Sequence, residues 1–432
     1  MRAAPVRRVC VLIHRYVGLF LAGFLILEGL TGSVLAFETP INEWLAPQTF
    51  APPNPGVRPL GLGVLAEHLE AIEPKARVGF FSIDGRQAGF SMLPRTDPAT
   101  GKPYGLAFDH IVLDPWTGAE LARLRNGDLS QGPANIVPFI YELHQDLAMG
   151  GWGTILLGVA AVLWTLDCFV AAYLTLPVSA SRFLPRWKPA WLIKWRSSGF
   201  RITFDLHRAS GLWLWPLLFV LAWSSVMFTL PDQVFDPVTK ALFSYRSDAE
   251  TMAAMAARPS IPHPKLTWTA AEAAGERLMA QMAARRGFRI ERPYGMAYIP
   301  EWGVYTYSVI GSANVQAHGW ETSLWLDGDT GALVSEDVPG AEPIGNELTT
   351  WLRALHFGDL RDSLVYRTIL CASGFAVSLL SVTGVLIWLK KRRAEGVRRE
   401  RHGQTPGRRV VIRPNRFAIV IPNPKSKEIR FD

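Results

Sequence analysis

Two copies of one short motif place a metal-binding side chain at the start of an apolar helix pattern. His14, Arg15, Gly18 and Leu19 form the sequence His-Arg-x-x-Gly-Leu, and the same pattern begins again at His207. On a helix, residues four apart share a face, so each glycine lies one turn beyond its histidine. A flat ligand could lie against that face while the imidazole, an ionisable and metal-competent group, reaches its centre. Ionisable residues in a membrane segment indicate function by default.

The elements that must position these histidines are four apolar stretches. Each approaches or exceeds the ~20 residues that a helix needs to cross a bilayer, in a chain of 432 residues that is 49% hydrophobic and contains 16 Trp. They run from Val9 to Phe37, Gly153 to Leu176, Gly211 to Leu230 and Leu364 to Leu389. Lys and Arg are concentrated before the first, between the second and third, and after the fourth, which predicts that these segments are cytoplasmic. The net charge of +8 follows from this topology and a basic tail, so we expect no nucleic-acid partner.

The two long loops between these stretches repeat one plan of helix, strands and turn. The first has a helix pattern at 62–72, strand patterns at 80–83 and 88–93 joined by Asp84-Gly85, a strand at 108–113, and the sequence Asp-x-x-Thr-Gly-Ala from Asp114. The second has a capping box from Thr269 to Glu272 that starts a helix ending near Arg286, strand patterns at 294–299 and 304–310, and Asp-x-x-Thr-Gly-Ala again from Asp327. Both loops are acidic and are predicted to face outward.

A third motif completes the repeat. Leu143-His144 precedes the second apolar stretch, and Leu355-His356 precedes the fourth. Three motifs recurring in the same order indicate an internal duplication.

We therefore predict a membrane all-α four-helix bundle with two periplasmic α+β domains. The predicted segments are a first transmembrane helix (1–38), a first periplasmic domain (39–150), a second helix (151–176), a cytoplasmic basic and Trp-rich interfacial loop (177–206), a third helix (207–230), a second periplasmic domain (231–362), a fourth helix (363–391) and a basic cytoplasmic tail (392–432). A secretory signal ending near Ala36 is an alternative for the N-terminus, but its cleavage would remove one copy of the motif.

This topology predicts which histidines meet. His14 and His207 lie near the inner face, whereas His144 and His356 lie near the outer face. Paired histidines on facing helices are the axial ligands of haem iron, and the chain has no Cys-x-x-Cys-His sequence for covalent attachment. We expect two b-type haems with bis-histidine ligation.

Other roles for histidine remain open at the level of sequence. A zinc site would need further Cys or carboxylate ligands, and an interfacial, hydrogen-bonded role is the alternative for any single one of the four. The remaining histidines are expected to be ordinary surface residues: His68, His110, His263, His318 and His402.

Charged residues near the predicted haem ligands have two possible roles. Arg15 and Arg208 follow their histidines directly and could pair with haem propionates, or could anchor the protein at the cytoplasmic surface. Arg361 is a weaker propionate candidate on the outer side. Glu28 and Asp167 lie inside spans, where a charge is costly, and serve either hydrogen bonding within the bundle or proton and quinol chemistry.

These motifs together resemble the PepSY-associated transmembrane helix family, the iron-regulated inner-membrane proteins that include the ferrioxamine-type siderophore reductases of Gram-negative bacteria. The resemblance covers residues 1 to about 393 and rests on the three duplicated motifs. It implies periplasmic PepSY domains and b-type haems that pass electrons outward to ferric siderophores. Carried over to this sequence, the metal ligands are His14 with His207 and His144 with His356. The wider cofactor-binding set adds Arg15, Arg208, Gly18 and Gly211.

The predicted function is a haem-dependent transmembrane oxidoreductase of the bacterial inner membrane that reduces a ferric siderophore and releases Fe(II). Its predicted partners are the ferric siderophore, a membrane quinol or cytoplasmic electron donor, and the lipid bilayer. No catalytic nucleophile or general base is expected. Two alternatives stay open: a haem electron carrier for another periplasmic oxidoreductase, and a haem-free PepSY module that binds or regulates peptidases.

Overall fold

The computed structural model describes residues 3–340 and 342–403, which contain 13 α-helices and eight β-strands. A strand-like run that the sequence shows at 417–421 lies outside the described residues. The helices are α1 Ala3–Leu35, α2 Glu38–Leu45, α3 Leu62–Ile72, α4 Ile136–Asp146, α5 Gly151–Thr175, α6 Phe183–Trp187, α7 Gly199–Trp213, α8 Trp215–Thr229, α9 Asp236–Leu242, α10 Asp248–Ala256, α11 Trp268–Arg286, α12 Ile344–Phe357 and α13 Leu364–Gly403. The strands are β1 Ala76–Asp84, β2 Gln87–Pro94, β3 His110–Leu113, β4 Glu120–Leu124, β5 Ile290–Ile299, β6 Val304–Gly311, β7 Thr322–Asp327 and β8 Leu333–Asp337.

The eight strands form one antiparallel sheet in the order β4-β3-β2-β1-β5-β6-β7-β8. The alternation of apolar and polar residues correctly predicted β1, β2, β5 and β6, and the Asp84-Gly85 hairpin is present, with Asp84 opposite Gln87. The prediction of two separate outer domains is wrong. Strand β1 of the first loop pairs with β5 of the second through Phe80, Phe81 and Ser82, because a β-edge left open would expose unpaired backbone groups.

One core lies under this continuous sheet. Helices α3 and α11 pack side by side on its face, and their apolar side chains share a single buried cluster with both halves of the sheet. Phe81 stacks on Phe90 at 4.4 Å between ring centroids and meets Trp268 edge-on at 5.6 Å. The two loops therefore fold as one unit.

The two helices also cap each other. The carboxylate of Glu272 in α11 accepts hydrogen bonds from the backbone N–H groups of Leu62 and Gly63 at the start of α3, each at 2.8 Å. In return Glu67 in α3 accepts from the N–H of Thr269 at 2.8 Å. The predicted capping box is therefore wrong: Thr267 is the N-cap of α11, and Glu272 serves the neighbouring helix, where the positive end of the dipole attracts it.

The repeated Asp-x-x-Thr-Gly-Ala sequences form the same turn twice, between β3 and β4 and between β7 and β8. Asp114 accepts from the N–H groups of the two residues at positions three and four of its motif, and Asp327 does the same in its own copy. Gly118 and Gly331 follow with φ of +74° and +70°. These left-handed positions require glycine, since a Cβ would be strained there.

The prediction of a four-helix membrane bundle is also wrong. Within the described residues, three helices are long and apolar enough to cross a membrane, over Pro5–Leu35, Gly151–Thr175 and Leu364–Gly396. The predicted third span is instead broken at Leu214 into α7 and α8, whose axes differ by 69°. Pro216 follows the break, and α7 carries the charged side chains of Arg201, Asp205 and Arg208, so its polar face is unsuited to a straight apolar span.

Close packing of α1 against α13 forms the centre of the helical region. A Cβ built on Gly29 would lie 2.5 Å from the carbonyl oxygen of Gly374. Ser33 donates to the carbonyl of Cys371 at 2.9 Å, and Ser378 donates to that of Ile26 at 3.3 Å. Small residues at this crossing let the two backbones approach, as is common between membrane helices.

The Trp-rich segment between α5 and α7 packs on the end of the bundle that is remote from the sheet. Trp187, Trp191 and Trp213 meet edge to face at 5.1 and 5.2 Å between successive ring centroids. The indole N–H of Trp187 donates to Thr175 at the end of α5. We call this end of the molecule the loop side and the other end the sheet side.

Candidate functional site

The four histidines that the sequence singled out form two facing pairs. His14 in α1 faces His207 in α7, with ring centroids 6.0 Å apart and planes inclined by 49°. His144 and His356 occupy the last turns of α4 and α12, with ring centroids 6.2 Å apart and planes inclined by 58°. We call them the loop-side pair and the sheet-side pair. The structure thus brings together the partners that the sequence paired.

Every one of these imidazoles is held through Nδ1. His14 donates to Asp167 Oδ2 at 2.9 Å, and His207 donates to the carbonyl of Leu380 at 3.0 Å and to Thr383 Oγ1 at 3.1 Å. Within the described residues, the hydrogen bonds of the loop-side imidazoles therefore all engage Nδ1 and leave Nε2 for another ligand.

The sheet-side pair follows the same rule. His144 donates to Thr31 Oγ1 at 2.8 Å and lies 3.0 Å from Glu28 Oε2, and His356 donates to Ser224 Oγ at 2.7 Å. In both hydrogen bonds the hydroxyl oxygen is the acceptor, because each hydroxyl donates its own hydrogen to a carbonyl one turn earlier in its helix. Burial lowers the pKa of His144 to about 4 and that of His356 to about 3, so both imidazoles are neutral at pH 7, as metal ligation requires.

The spacing within each pair fits one ion between two imidazoles. A metal to imidazole bond is about 2 Å long and the ring centroid lies about 1 Å beyond the nitrogen, so two rings on opposite sides of one ion have centroids about 6 Å apart. Metal-bound histidines usually donate their other N–H to a carboxylate, carbonyl or hydroxyl, as all four do here. Among the described residues no group of three or more His, Cys, Asp or Glu side chains could hold a metal, so each pair offers two ligands.

A cavity of about 480 Å³ adjoins the loop-side pair and is lined largely by apolar side chains. The predicted glycine face is open: a Cβ on Gly18 would meet nothing within 4 Å, and one on Gly211 only the side chain of Leu380 at 3.8 Å. This volume lies within the ~300 to 1,000 Å³ typical of cofactor sites.

A larger cavity of about 750 Å³ reaches the sheet-side pair from beneath the sheet. His144 packs directly on α1, where a Cβ on Gly32 would lie 3.1 Å from its Cε1 atom. Aromatic and charged side chains line the rest of the cavity, among them Tyr141, Trp302, Trp320, Arg353 and Glu321.

A family model of the PepSY-associated TM region matches residues 11–391, a span that contains both histidine pairs. The chain belongs to this family. The match and the three long apolar helices make it a membrane protein. No curated protein matches the chain.

In this member of the PepSY-associated TM family, the arginines proposed to bind propionates have different surroundings. Arg208 is held by Asp205 at 2.8 Å and by the carbonyl of Ala190 at 3.1 Å, so it fastens the Trp-rich segment to α7. Arg15 lines the loop-side cavity and makes no hydrogen bond to another described residue. Arg15 is therefore available to an anionic ligand, and Arg208 is occupied.

On the sheet side, Arg361 is occupied as well. Its guanidinium binds Glu291 at 2.9 Å and the carbonyls of Gly311 and Asn314 at 3.2 Å each. Arg353, one turn before His356, lines the cavity and has no acid partner among the described residues. The sequence gave no signal for this residue, since the equivalent position in the first half of the chain is Tyr141.

Thr31 and Ser224 were also missed at the sequence level. Thr31 follows His14 by the same number of residues as Ser224 follows His207, so the duplication supplies one hydroxyl to each sheet-side imidazole. Aligning the two motif copies beyond Leu19 would have found this signal. Glu28 and Asp167, whose role the sequence left open, are the carboxyl groups beside His144 and His14.

His318 departs from the expectation of an ordinary surface histidine. Its ring lies between Asp84 and Asp359, at 3.3 Å from each carboxylate. Hydrogen bonds to these two groups raise the pKa of His318 to about 10. The charged imidazole thus links the β1–β2 hairpin to the segment that follows the His356 helix.

Proposed function

We propose that this protein is a di-haem transmembrane oxidoreductase of the bacterial inner membrane that passes electrons to a ferric siderophore. His14 and His207 hold one haem b, and His144 and His356 hold the second. The haem supplies one-electron chemistry, since its iron cycles between Fe(III) and Fe(II). Reduction of the chelated iron weakens its binding by hard oxygen ligands and releases Fe(II).

The observation that carries the proposal is the matched geometry of the two pairs at opposite ends of one helix. Along α1, from His14 to Gly32, the glycine against which His144 packs, the rise is about 27 Å at about 1.5 Å per residue. That distance approaches the ~30 Å hydrocarbon thickness of a bilayer. Two redox centres so placed would bring electrons from one face to the other.

The chain's own residues bind and orient the two cofactors. Nδ1 hydrogen bonds fix each imidazole, and Gly18 and Gly211 leave a flat face open beside the loop-side pair. Arg15 and Arg353 would pair with propionates at the two sites, since each lines the cavity beside its histidine pair. The apolar wall of the loop-side cavity excludes water from the neighbourhood of the iron.

Electron balance limits the partners. Lys and Arg near the loop side favour a cytoplasmic location for that end, so electrons would come from a membrane quinol or a cytoplasmic donor. A quinol gives two electrons and two protons on oxidation to the quinone, and each ferric chelate takes one electron. One quinol therefore serves two ferric siderophores, which would approach through the sheet-side cavity.

The test is oxidation of the dithionite-reduced protein by ferric siderophores, followed by stopped-flow spectroscopy of the haem α-band. We expect a ferric hydroxamate or catecholate to reoxidise the protein, and the His356→Ala variant to be reoxidised much more slowly. If all such chelates fail while a periplasmic redox protein succeeds, the protein is an electron carrier. A folded protein that contains no haem would contradict both the reductase and the electron carrier, and would support the haem-free binding module.

A further inference from the structure

The two histidines of each pair differ in whether a carboxyl group lies beside Nδ1. In both pairs the histidine of the first half of the chain meets a carboxyl group: His14 meets Asp167, and His144 meets Glu28. The histidines of the second half, His207 and His356, have only carbonyl or hydroxyl partners. The duplication therefore repeats the imidazoles and leaves the carboxyl groups unrepeated.

The sequence shows where this difference arises. The spacing that makes Thr31 equivalent to Ser224 makes Glu28 equivalent to Leu221, so the first half has a carboxyl group where the second half has an apolar side chain. Asp167 and Glu28 lie inside helices that are long and apolar enough to cross a membrane. An ionisable group is costly in such a helix, so its presence there indicates a function. Neither has a Lys or Arg partner among the described residues.

The two carboxyl groups engage their histidines to different extents. Asp167 is buried, with 8% of its surface exposed, and both of its oxygens lie within hydrogen-bond distance of His14 Nδ1, at 2.9 and 3.1 Å. Glu28 Oε2 lies 3.0 Å from Nδ1 of His144, whose hydrogen bond goes to Thr31. The other oxygen of Glu28 is buried without a partner in the described residues.

We propose that Asp167 and Glu28 are positioning residues that lower the reduction potentials of the two haems, Asp167 more strongly than Glu28. The inference rests on the proposed function. A carboxylate that accepts from Nδ1–H makes the imidazole a stronger electron donor, which stabilises Fe(III) relative to Fe(II). This difference would lower the potential of the loop-side haem relative to the sheet-side haem, and would favour electron transfer toward the sheet side, with one iron oxidised as the other is reduced.

The test is a spectroelectrochemical titration of the purified holoprotein in detergent. We expect two midpoint potentials, and we expect Asp167→Asn to shift the lower one to a more positive value. The matched control is Thr383→Val, which removes a neutral partner from His207 at the same site and should leave that midpoint within error. Loss of one midpoint in His356→Ala identifies the sheet-side haem.

Two results would overturn the inference. One is an Asp167→Asn protein that retains both haems with unchanged midpoints, and the other is a loop-side midpoint above the sheet-side one in the wild type. If Asp167→Asn loses its haem, the Glu28→Gln variant tests the inference instead, because Thr31 still holds His144 in that variant. A small positive shift of the sheet-side midpoint would support the inference, and an unchanged midpoint would contradict it. A wild-type protein without haem would instead refute the proposed function.

Discussion

The loop-side and sheet-side pairs are almost the same in geometry and different in surroundings. Their ring centroids are 6.0 and 6.2 Å apart, and each ring is held by Nδ1. The loop-side cavity is smaller and mainly apolar, whereas the sheet-side cavity is larger and bordered by charged and aromatic side chains. The duplicated helices thus fix the geometry of the imidazoles, and unduplicated residues around them give the two sites cavities of different size and polarity.

The largest difference expected between the pairs concerns the direction of electron flow. His356→Ala should abolish the sheet-side haem, so that the loop-side haem accumulates in the reduced state during turnover while ferric-chelate reduction falls. His207→Ala should instead block reduction by the donor. Steady-state absorption spectra with membranes and a quinol measure both. If the remaining haem has the same redox level in both variants, the two pairs do not differ in their place along the path of the electrons.

A larger side chain can fill the open glycine face of the loop-side pair without a clash at the position of its Cβ atom, since a Cβ on Gly18 meets nothing within 4 Å. Gly18→Leu should displace the loop-side haem, because its side chain would enter the cavity that the cofactor needs. Gly23→Leu is the matched control, since a Cβ there also meets nothing within 4 Å but Gly23 does not line that cavity. Haem content should fall toward half in the first variant only. Equal haem content in both would show that the face is not used.

Arg353 distinguishes the sheet-side site, because its guanidinium lies over the ring of Phe228 and has no acid partner among the described residues. Arg353→Gln should weaken sheet-side haem binding about tenfold or more, since a charge-assisted hydrogen bond contributes about 1.5 to 3 kcal/mol. Arg361→Gln, which breaks the bond to Glu291, should lower thermal stability and leave the haem in place. Haem transfer to apomyoglobin measures the first effect. Faster transfer from the Arg361 variant than from the Arg353 variant would reverse the assignment.

The smallest effect concerns His318, which lies only on the sheet side. Its folded pKa, about 10, exceeds the unfolded value of about 6.5. The charged imidazole therefore stabilises the fold fully below about pH 6.5 and loses this effect as the pH rises through about 10. The difference in Tm between wild type and His318→Gln should shrink over that range, with exposed His263→Gln as control. A difference that does not change with pH would exclude this role.

Local patterns in the sequence predicted local structure well. Helix α3 has the predicted bounds, and the Asp84-Gly85 hairpin forms, because alternation and turn chemistry act within a few residues. The pairing of β1 with β5 depends on two edges that meet only after folding. Nothing in the sequence near Phe80 or Met296 indicates that partner, so one sheet was interpreted as two domains.

The membrane segments also show that local sequence patterns do not predict how distant parts of the chain pack together. Composition made residues 211–230 look like a complete span, yet α8 has 15 residues, about 22 Å at about 1.5 Å per residue. The helix before it turns away at Leu214, and its Arg208 and Trp213 side chains donate hydrogen bonds to the carbonyls of Ala190 and Trp191 in the Trp-rich segment. Histidine pairing was nevertheless predictable, because it depends on the order of the motifs and not on the straightness of one helix.

The most direct test of the account is the number of haems per chain, measured as the pyridine haemochrome in the wild type and in the four single histidine to alanine variants. We predict close to two haems in the wild type and one in each variant. The haem that remains should be the same in His14→Ala as in His207→Ala, and the other one in His144→Ala and His356→Ala. A folded, colourless wild-type protein from haem-replete cells, or the same remaining haem in His14→Ala and His356→Ala, would contradict it.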